Sequence, residues 1–388
     1  MRKIIFIVLA FMATSVSAQE WILKQIEENN TLLSSLRSQT EAEKIGNKTG
    51  IYPENPEVEA GYSWGNEKEM GNRIDFSVSQ SFDFPTSYYH KKKLSDIRNS
   101  QADIRYQIER KNILLEAKNI CIQLVYQNAL SARLKEQMDL TQSVADAYSR
   151  KFEIGEASSL DLNKAKYDYI NAQKDYNNSI IEKEYLLTEL QRLNGGKPVE
   201  YSTLEFQEAF IPLNFQSWYE SQEMKNYALI QAGREVNISK ESEKLQRALN
   251  LPKFSAGYMS EKVKSEHFQG VTVGMSIPLW ENKNTVRQIK AQTLANEQLQ
   301  SDVNMQNYYQ TEALYKKAVN LKQMVDDFDR FQQSDKTVSL LKKALDKGEL
   351  SLINYILELG IYYEMVQSKL ETQRDLQLVI AELMQWDL

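Results

Sequence analysis

Residues 74–84 read IDFSVSQSFDF, and residues 271–279 read VTVGMSIPL. Apolar residues alternate with small or polar ones in both segments, and only Gln80 breaks the pattern in the first. This period of two indicates β-strands with one apolar and one polar face, at the length of a strand in a membrane barrel. Shorter alternating segments, Val58–Trp64 and Phe254–Tyr258, precede them, so the sequence predicts two strand pairs.

Aromatic residues lie towards the ends of these segments, where the interfaces of a membrane would be. They are Tyr62, Trp64, Phe84, Tyr258 and Trp280. We expect the connecting segments, Gly65–Arg73 and Ser260–Gly270, to be polar loops. The alternative is four strands of a soluble sandwich, but the rest of the chain reads as helix and leaves no second sheet to pack against.

Four strands cannot close a membrane barrel, which needs about eight at minimum and more for a water-filled lumen. The sequence therefore predicts an oligomer whose chains share one barrel. Two chains would give a plugged eight-stranded barrel, and three would give an open twelve-stranded one. If the barrel serves as a conduit, three chains are favoured.

Long segments without proline, glycine or turn clusters predict long helices. Tyr88–Ile154 would extend on the order of 100 Å at about 1.5 Å per residue, and Asn284–Lys347 repeats it. Helices of about 35 residues, Ser159–Leu193 and Leu352–Trp386, follow them, and the last carries a heptad seam from Leu352 to Leu370. Composition rich in Gln, Asn, Lys, Glu, Leu and Ala is typical of coiled-coil-like contacts.

Internal repetition divides the chain. Asn55–Tyr62 resembles Leu251–Tyr258, and Gly155–Leu160 resembles Gly348–Ile353, at offsets of about 196 and 193 residues. We therefore expect a signal peptide at 1–18, a first repeat at 19–194, a linker at 195–213 and a second repeat at 214–388. Each repeat contains a helix, a strand pair, a long helix, a hairpin tip and a further helix.

The N-terminus has the three parts of a secretory signal: Arg2 and Lys3, a short apolar run, and small residues that end at Ala18. We expect cleavage after Ala18, because the apolar run is too short for the alternative, a membrane anchor. Removal of two cations takes the net charge from −6 to −8. An acidic chain argues against nucleic-acid binding.

No catalytic, cofactor-binding or metal-binding motif is present in the sequence, so we expect neither an enzyme nor a bound cofactor. His90 and His267 are predicted to be polar surface residues. Cys121 is the only cysteine, and we interpret it as a small packed side chain.

The order of elements and two hairpin segments, KFEIGEASSLDL at 151–162 and ALDKGELSLI at 344–353, resemble the TolC-like outer membrane factors of tripartite efflux pumps. The Gly-Glu-x-Ser wording is similar to the cobalt-zinc-cadmium cation efflux branch. The resemblance implies a mixed α+β membrane protein: a homotrimer whose long helices form a periplasmic tunnel and whose strands form a twelve-stranded barrel among outer membrane lipids. It also implies a periplasmic adaptor and an inner-membrane pump, of the RND type, as partners.

The resemblance implies two sets of site residues. The adaptor-contacting tips are Ile154, Gly155, Glu156, Ala157, Ser158, Lys347, Gly348, Glu349, Leu350 and Ser351. The periplasmic gate is Asp161, Asn354, Tyr355 and Glu358. The family's acidic constriction falls on the uncharged Asn354 and Leu357 here, so the acidic ring is either reduced or shifted to Glu349 and Glu358, which are equally well explained as surface charges.

The function predicted from the sequence is a passive exit duct for an efflux pump, with heavy-metal cations as one possible cargo. The alternative is a periplasmic adaptor or coiled-coil structural protein without a channel. An adaptor would have one hairpin rather than two, and a coiled-coil protein would not need strands with a lipid-facing side.

Overall fold

The computed structural model describes residues 18–66, 71–331 and 336–388. The predicted signal peptide lies outside the described residues, apart from Ala18. The elements in chain order are α1 (Ala18–Asn29), α2 (Thr31–Gly46), β1 (Glu57–Ser63), β2 (Arg73–Phe82), α3 (Pro85–Glu153), α4 (Ser159–Leu193), α5 (Phe215–Glu223), α6 (Tyr227–Leu249), β3 (Lys253–Val263), β4 (Glu266–Ser276), α7 (Thr285–Phe331), α8 (Thr337–Asp346), α9 (Leu352–Leu383) and a 3-10 turn (Gln385–Asp387).

The chain forms two compact units. One contains the described residues up to Ser34, Arg110–Trp218 and Thr311–Leu388, and the other contains Ser35–Glu109 and Tyr219–Gln310. We call the first the helical unit and the second the sheet unit. Each predicted repeat contributes segments to both.

All four strands of the sheet unit form one antiparallel sheet in the order β1-β2-β3-β4. The two strand pairs of the sequence are hairpins, and β2 pairs with β3 over ten residues, from Arg73 with Val263 to Phe82 with Phe254. The two hairpins therefore form one continuous sheet.

Four helices of the sheet unit follow the same order as the strands. Lys44 of α2 pairs with Asp103 of α3 at 2.6 Å, and Lys240 of α6 pairs with Glu297 of α7 at 2.8 Å. Between them, α3 contacts α6 through Gln101, which donates to Glu235 at 2.7 Å. These polar contacts suit helices that lie side by side with much of their surface exposed.

Two hydrophobic clusters hold the helical unit together. One joins α3, α4, α8 and α9 and contains Val144, Ala145, Ala165, Leu345, Leu352, Tyr355 and Leu359. The other joins α7 and α9 and contains Ala318, Val325, Leu376, Val379 and Leu383. The predicted heptad seam of α9 is confirmed, because Leu352, Leu359 and Val366 are buried.

Several helix boundaries match the prediction closely. α4 has the predicted bounds, and α3 is continuous from Pro85 to Glu153. Pro85 occupies the first helical position, where its missing N–H leaves no hydrogen bond unmade. In the described residues, none of the helices combines the length and apolar character needed to cross a bilayer.

One prediction about an individual element is wrong. Ser260–Gly270 is not a loop, because β3 and β4 continue to Val263 and Glu266 with a tight turn in which Lys264 has a φ of 50°. Polar residues predominate in these strand ends, and the apolar Val263 and Phe268 do not continue the alternation of the earlier residues. The predicted single helix 284–347 is described as α7 and α8, and residues 332–335 between them lie outside the described part.

Candidate functional site

One face of the sheet is apolar across all four strands and exposed. Hydrogen-bonding register aligns Val58, Val78, Tyr258 and Val271 in one row, and Phe82, Phe254 and Met275 in another. Val271 and Val273 are each 84% exposed. A continuous apolar surface of this kind is rare on a monomeric soluble protein and marks a membrane or interaction surface.

The opposite face of the sheet is polar. Ser79, Gly257 and Thr272 form one row across it. Further along, Arg73 Nε lies 2.8 Å from Asp75 Oδ1 and 3.3 Å from Glu261 Oε1. The two faces therefore suit two different environments, one apolar and one aqueous.

Both edges of the sheet are open, since within the described part of the chain β1 and β4 each pair on one side only. Unpaired strand edges expose backbone N–H and C=O groups that can pair with another chain. Inside a bilayer every backbone N–H and C=O group must be hydrogen-bonded within the protein. A sheet with one apolar face and two open edges is therefore incomplete as a membrane structure.

The turns of the two helix hairpins, α3–α4 and α8–α9, have the same backbone geometry. In the first, Glu156 N donates to Lys151 O at 2.7 Å and Gly155 N to Phe152 O at 3.1 Å. In the second, Glu349 N donates to Ala344 O at 2.9 Å and Gly348 N to Leu345 O at 3.0 Å. This pair of bonds requires a left-handed residue. Gly155 at φ 78° and Gly348 at φ 73° supply it.

A serine begins the second helix of each hairpin. Ser158 Oγ accepts from Asp161 N at 3.1 Å, and Ser351 Oγ accepts from Asn354 N at 3.3 Å. The predicted tip residues surround these turns: Ile154 is 69% exposed, while Glu156, Ser158, Lys347, Glu349 and Ser351 are exposed and Ala157 and Leu350 are half-buried.

The predicted gate residues occupy different environments. Asp161 and Asn354 hold equivalent positions, three residues after the capping serines, and Asp161 also accepts a hydrogen bond from Ser158 Oγ at 2.6 Å. Asn354 and Glu358 are exposed on α9. Asp161 thus takes part in the cap at the start of α4.

Tyr355 is only 1% exposed and lies inside the cluster of α3, α4, α8 and α9. Its hydroxyl has no hydrogen-bond partner among the described residues, and burial raises its pKa above the usual value. Burial also raises the pKa of the nearby Asp168 carboxyl on α4. Tyr355 therefore positions the tip helices of its own chain, and the exposed gate candidates are Asn354 and Glu358.

The sequence analysis did not identify a basic region where the helices meet the sheet. Lys91 Nζ lies 2.8 Å from Asp83 Oδ2, and Lys253 Nζ lies 3.8 Å from Asp83 Oδ1. His90, predicted to be a surface residue, is half-buried, with Nδ1 2.7 Å from Glu241 Oε1. The three consecutive lysines at 91–93 were the sequence feature that could have indicated this basic region.

The buried Glu241 carboxylate is surrounded by cations. Burial alone would raise its pKa, but the hydrogen bond with His90 and the charges of Lys93 and Lys244 outweigh burial and lower the pKa below its usual value. The carboxylate is therefore ionised at neutral pH and joins α3 to α6 beside the sheet.

The described residues contain no group of three or more His, Cys, Asp or Glu side chains placed to hold a metal ion. Cys121 is buried, and burial raises the pKa of its thiol to about 12. Such a thiol is unreactive at neutral pH.

No protein-family model and no curated protein sequence matches the chain. Solved structures do resemble it. The CmeC outer membrane channel of Campylobacter jejuni matches 95% of this chain and 85% of its own, with 14% identity and a TM-score of 0.81. CusC, described in terms of transmembrane channel formation, matches 95% and 91%, with 13% identity and a TM-score of 0.80. The MtrE outer membrane channel of Neisseria gonorrhoeae matches 95% and 88%, with 12% identity and a TM-score of 0.73.

These similarities extend over nearly the whole chain. The protein has the mixed α+β fold of these outer membrane channels, with long helices and a four-stranded antiparallel sheet. At identities this low, the likeness establishes the fold.

Proposed function

We propose that the protein is the outer-membrane channel of a tripartite efflux system, a passive duct that extends into the periplasm. The observation that carries this proposal is the exposed apolar face shared by all four strands, from Val58 to Val273, opposite a polar face. Lipid would cover the first face and water the second. The fold shared with outer membrane channels supports the same conclusion.

The proposed assembly is a homotrimer. Open edges on β1 and β4 allow β4 of one chain to pair with β1 of the next, which satisfies the exposed backbone groups. Three chains would give twelve strands, enough for a water-filled lumen, whereas two would give a small barrel that side chains fill.

The helix tips are the proposed contact with a periplasmic adaptor, through which an inner-membrane pump of the RND type would deliver substrate. Both tips are rigid, since each turn makes two backbone hydrogen bonds and has a serine cap. Heavy-metal cations as cargo rest on the Gly-Glu-x-Ser wording at Gly155 and Gly348 alone. The channel itself would carry out no chemistry.

Membrane fractionation followed by planar-bilayer recording tests the proposal. We expect the protein in the outer membrane, as a cross-linkable trimer that conducts ions after purification. Recovery in the soluble periplasm, without conductance, would instead identify a coiled-coil structural protein or an adaptor.

Site-specific cross-linking tests the contact with the adaptor. Ile154→Cys and Lys347→Cys place a thiol at equivalent exposed positions of the two tips, and the native Cys121 is buried and will not compete. We expect both to cross-link to the adaptor hairpin. Ser265→Cys, in the β3–β4 turn, is the control, and cross-links from it alone would reverse the proposed orientation.

A further inference from the structure

The ends of all four strands nearest the helices lie at one end of the sheet, because an antiparallel sheet alternates in direction. β1 and β3 begin there, after α2 and α6, while β2 and β4 end there, before α3 and α7. We define the basic junction as residues 48–56, 83–93, 241–253 and 281–290. Asn282 Nδ2 donates to Leu249 O at 3.3 Å, and Lys253 Nζ lies 3.8 Å from Asp83 Oδ1, which joins three of these segments. Gln80 of β2 donates to Glu54 O of the fourth at 2.6 Å.

The basic junction is strongly positive in a chain whose net charge is −6. Its four segments contain ten Lys or Arg and five Asp or Glu, a net charge of about +5. The opposite end of the sheet, residues 59–66, 71–75 and 259–269, contains three cations and four acids. Positive charge is therefore concentrated at one end of the sheet.

Most acids of the basic junction are already neutralised, whereas several of its cations are not. Asp83 is held by Lys91 and Lys253, Glu241 by Lys93 and Lys244, and Glu243 by Arg247. The exposed cations without an ion pair to any described residue are Lys48, Lys92, Lys283, Arg287 and Lys290. Neither α3 nor α7 has an acid in its first turn, although acids are the residues that stabilise a helix start.

Exposed apolar side chains lie within four residues of Lys48 and Lys283 along the chain. They are Tyr52, shortly before β1, and Leu279 and Trp280, shortly after β4. Aromatic residues next to a row of cations are typical of the level where acyl chains meet headgroups. A lipid with a negatively charged headgroup matches both features.

We propose that the basic junction binds anionic phospholipid headgroups at the membrane surface on the helix side of the sheet. The proposal rests on the proposed function, which places the apolar face in the outer membrane. The headgroup phosphates would pair with the free lysines while the acyl chains lie along the apolar face. A cation near an anionic membrane surface contributes about fivefold to affinity.

Lipid exchange on the purified full-length protein tests this. The protein is equilibrated with an equimolar mixture of phosphatidylglycerol and phosphatidylethanolamine that share the same acyl chains, and retained lipid is counted by native mass spectrometry. We expect phosphatidylglycerol to be enriched several-fold at low salt and less so at high salt. Equal retention of both lipids by the wild type would overturn the proposal.

The test variant is Lys92→Gln/Lys283→Gln/Lys290→Gln, which should lose most of the several-fold preference and retain the two lipids almost equally. The matched control, Lys166→Gln/Lys317→Gln/Lys343→Gln, removes three exposed cations from the helical unit and should keep it. Arginine at the three junction positions should retain the preference, which separates a charge effect from misfolding. Equal loss in both glutamine variants would also overturn the proposal.

Failure of this inference can be separated from failure of the proposed function. A protein that enters no bilayer and does not conduct contradicts the proposed function. A protein that conducts but retains both lipids equally contradicts only the headgroup proposal. A changed ion preference of the channel in the junction variant, with lipid retention unaltered, would place these lysines in the lumen and overturn it as well.

Discussion

Val273→Arg separates a membrane-facing sheet from a soluble one. Val273 lies on β4 in register with Ala256 and is 84% exposed. Its neighbours on the same face of β4 are Val271 and Met275, which are both apolar and exposed. The side chain is thus well inside the apolar face.

The expected cost follows from this position. Arginine on the lipid face of a barrel costs roughly 2–4 kcal/mol near the midplane and less towards the interfaces, so we expect at least about 2 kcal/mol per chain. That corresponds to about a thirtyfold change in an equilibrium constant. On a soluble protein, the same exposed substitution would change stability by only about 0.5 kcal/mol.

The assay is the yield of folded trimer in the outer membrane fraction. Thr272→Arg is the matched control, because Thr272 is the next residue, at the same depth, with its side chain on the polar face. We expect Val273→Arg to lower the yield strongly and Thr272→Arg to leave it nearly unchanged. Equal yields for the two variants would refute the membrane assignment of the apolar face.

Three further outcomes are expected. Asp161→Asn, which keeps an acceptor for the cap but removes the charge, should reduce the cation preference of the channel in planar bilayers, and Asn354→Asp should increase it; no change in either would remove both residues from the gate. Asp168→Asn should raise the melting temperature at pH 7. Burial raises the pKa of Asp168 in the folded state, so the stability that Asp168 contributes is full below the unfolded pKa of about 3.8 and is lost as pH rises through the folded pKa. The gain in melting temperature from Asp168→Asn should therefore vanish in acid. A gain that persists at pH 3 would contradict burial as the cause. Gly348→Ala should destabilise the α8–α9 hairpin by about 1–2 kcal/mol in chemical denaturation, since φ is 73° and nothing surrounds the missing Cβ, whereas Gly360→Ala, inside α9 with equal space, should stabilise it by up to about 1 kcal/mol.

Regular patterns made most of the fold predictable from the sequence. Alternation in β2 and β4 and the absence of helix breakers between Pro85 and Glu153 each report local geometry directly. The Gly-Glu turns were predictable too, since two helices joined so closely need a left-handed residue. The pattern did not reveal the strand ends around Lys262 and His267, because polar residues predominate there and the alternation stops.

The candidate sites were less predictable because they depend on contacts between distant segments. Nothing around Tyr355 in the sequence distinguishes a residue that lines a passage from one buried against α4. The sequence around His90 indicates a surface residue, because Glu241, its partner on α6, is about 150 residues away in the chain. The basic junction is assembled from four segments that are separated in the chain and meet only at one end of the sheet.

The pairing of β2 with β3 has a consequence for the order of folding. About 170 residues separate Phe82 from Lys253, so the β1–β2 segment is synthesised well before the strand with which β2 pairs. At about 5–20 residues per second, this delay lasts roughly 10–30 s. During that time β2 lacks its partner β3, and an apolar strand with an unpaired edge is prone to aggregation. In the same period α3 and α4 can already form from local contacts. A nascent chain of this kind needs its first hairpin shielded until the second arrives.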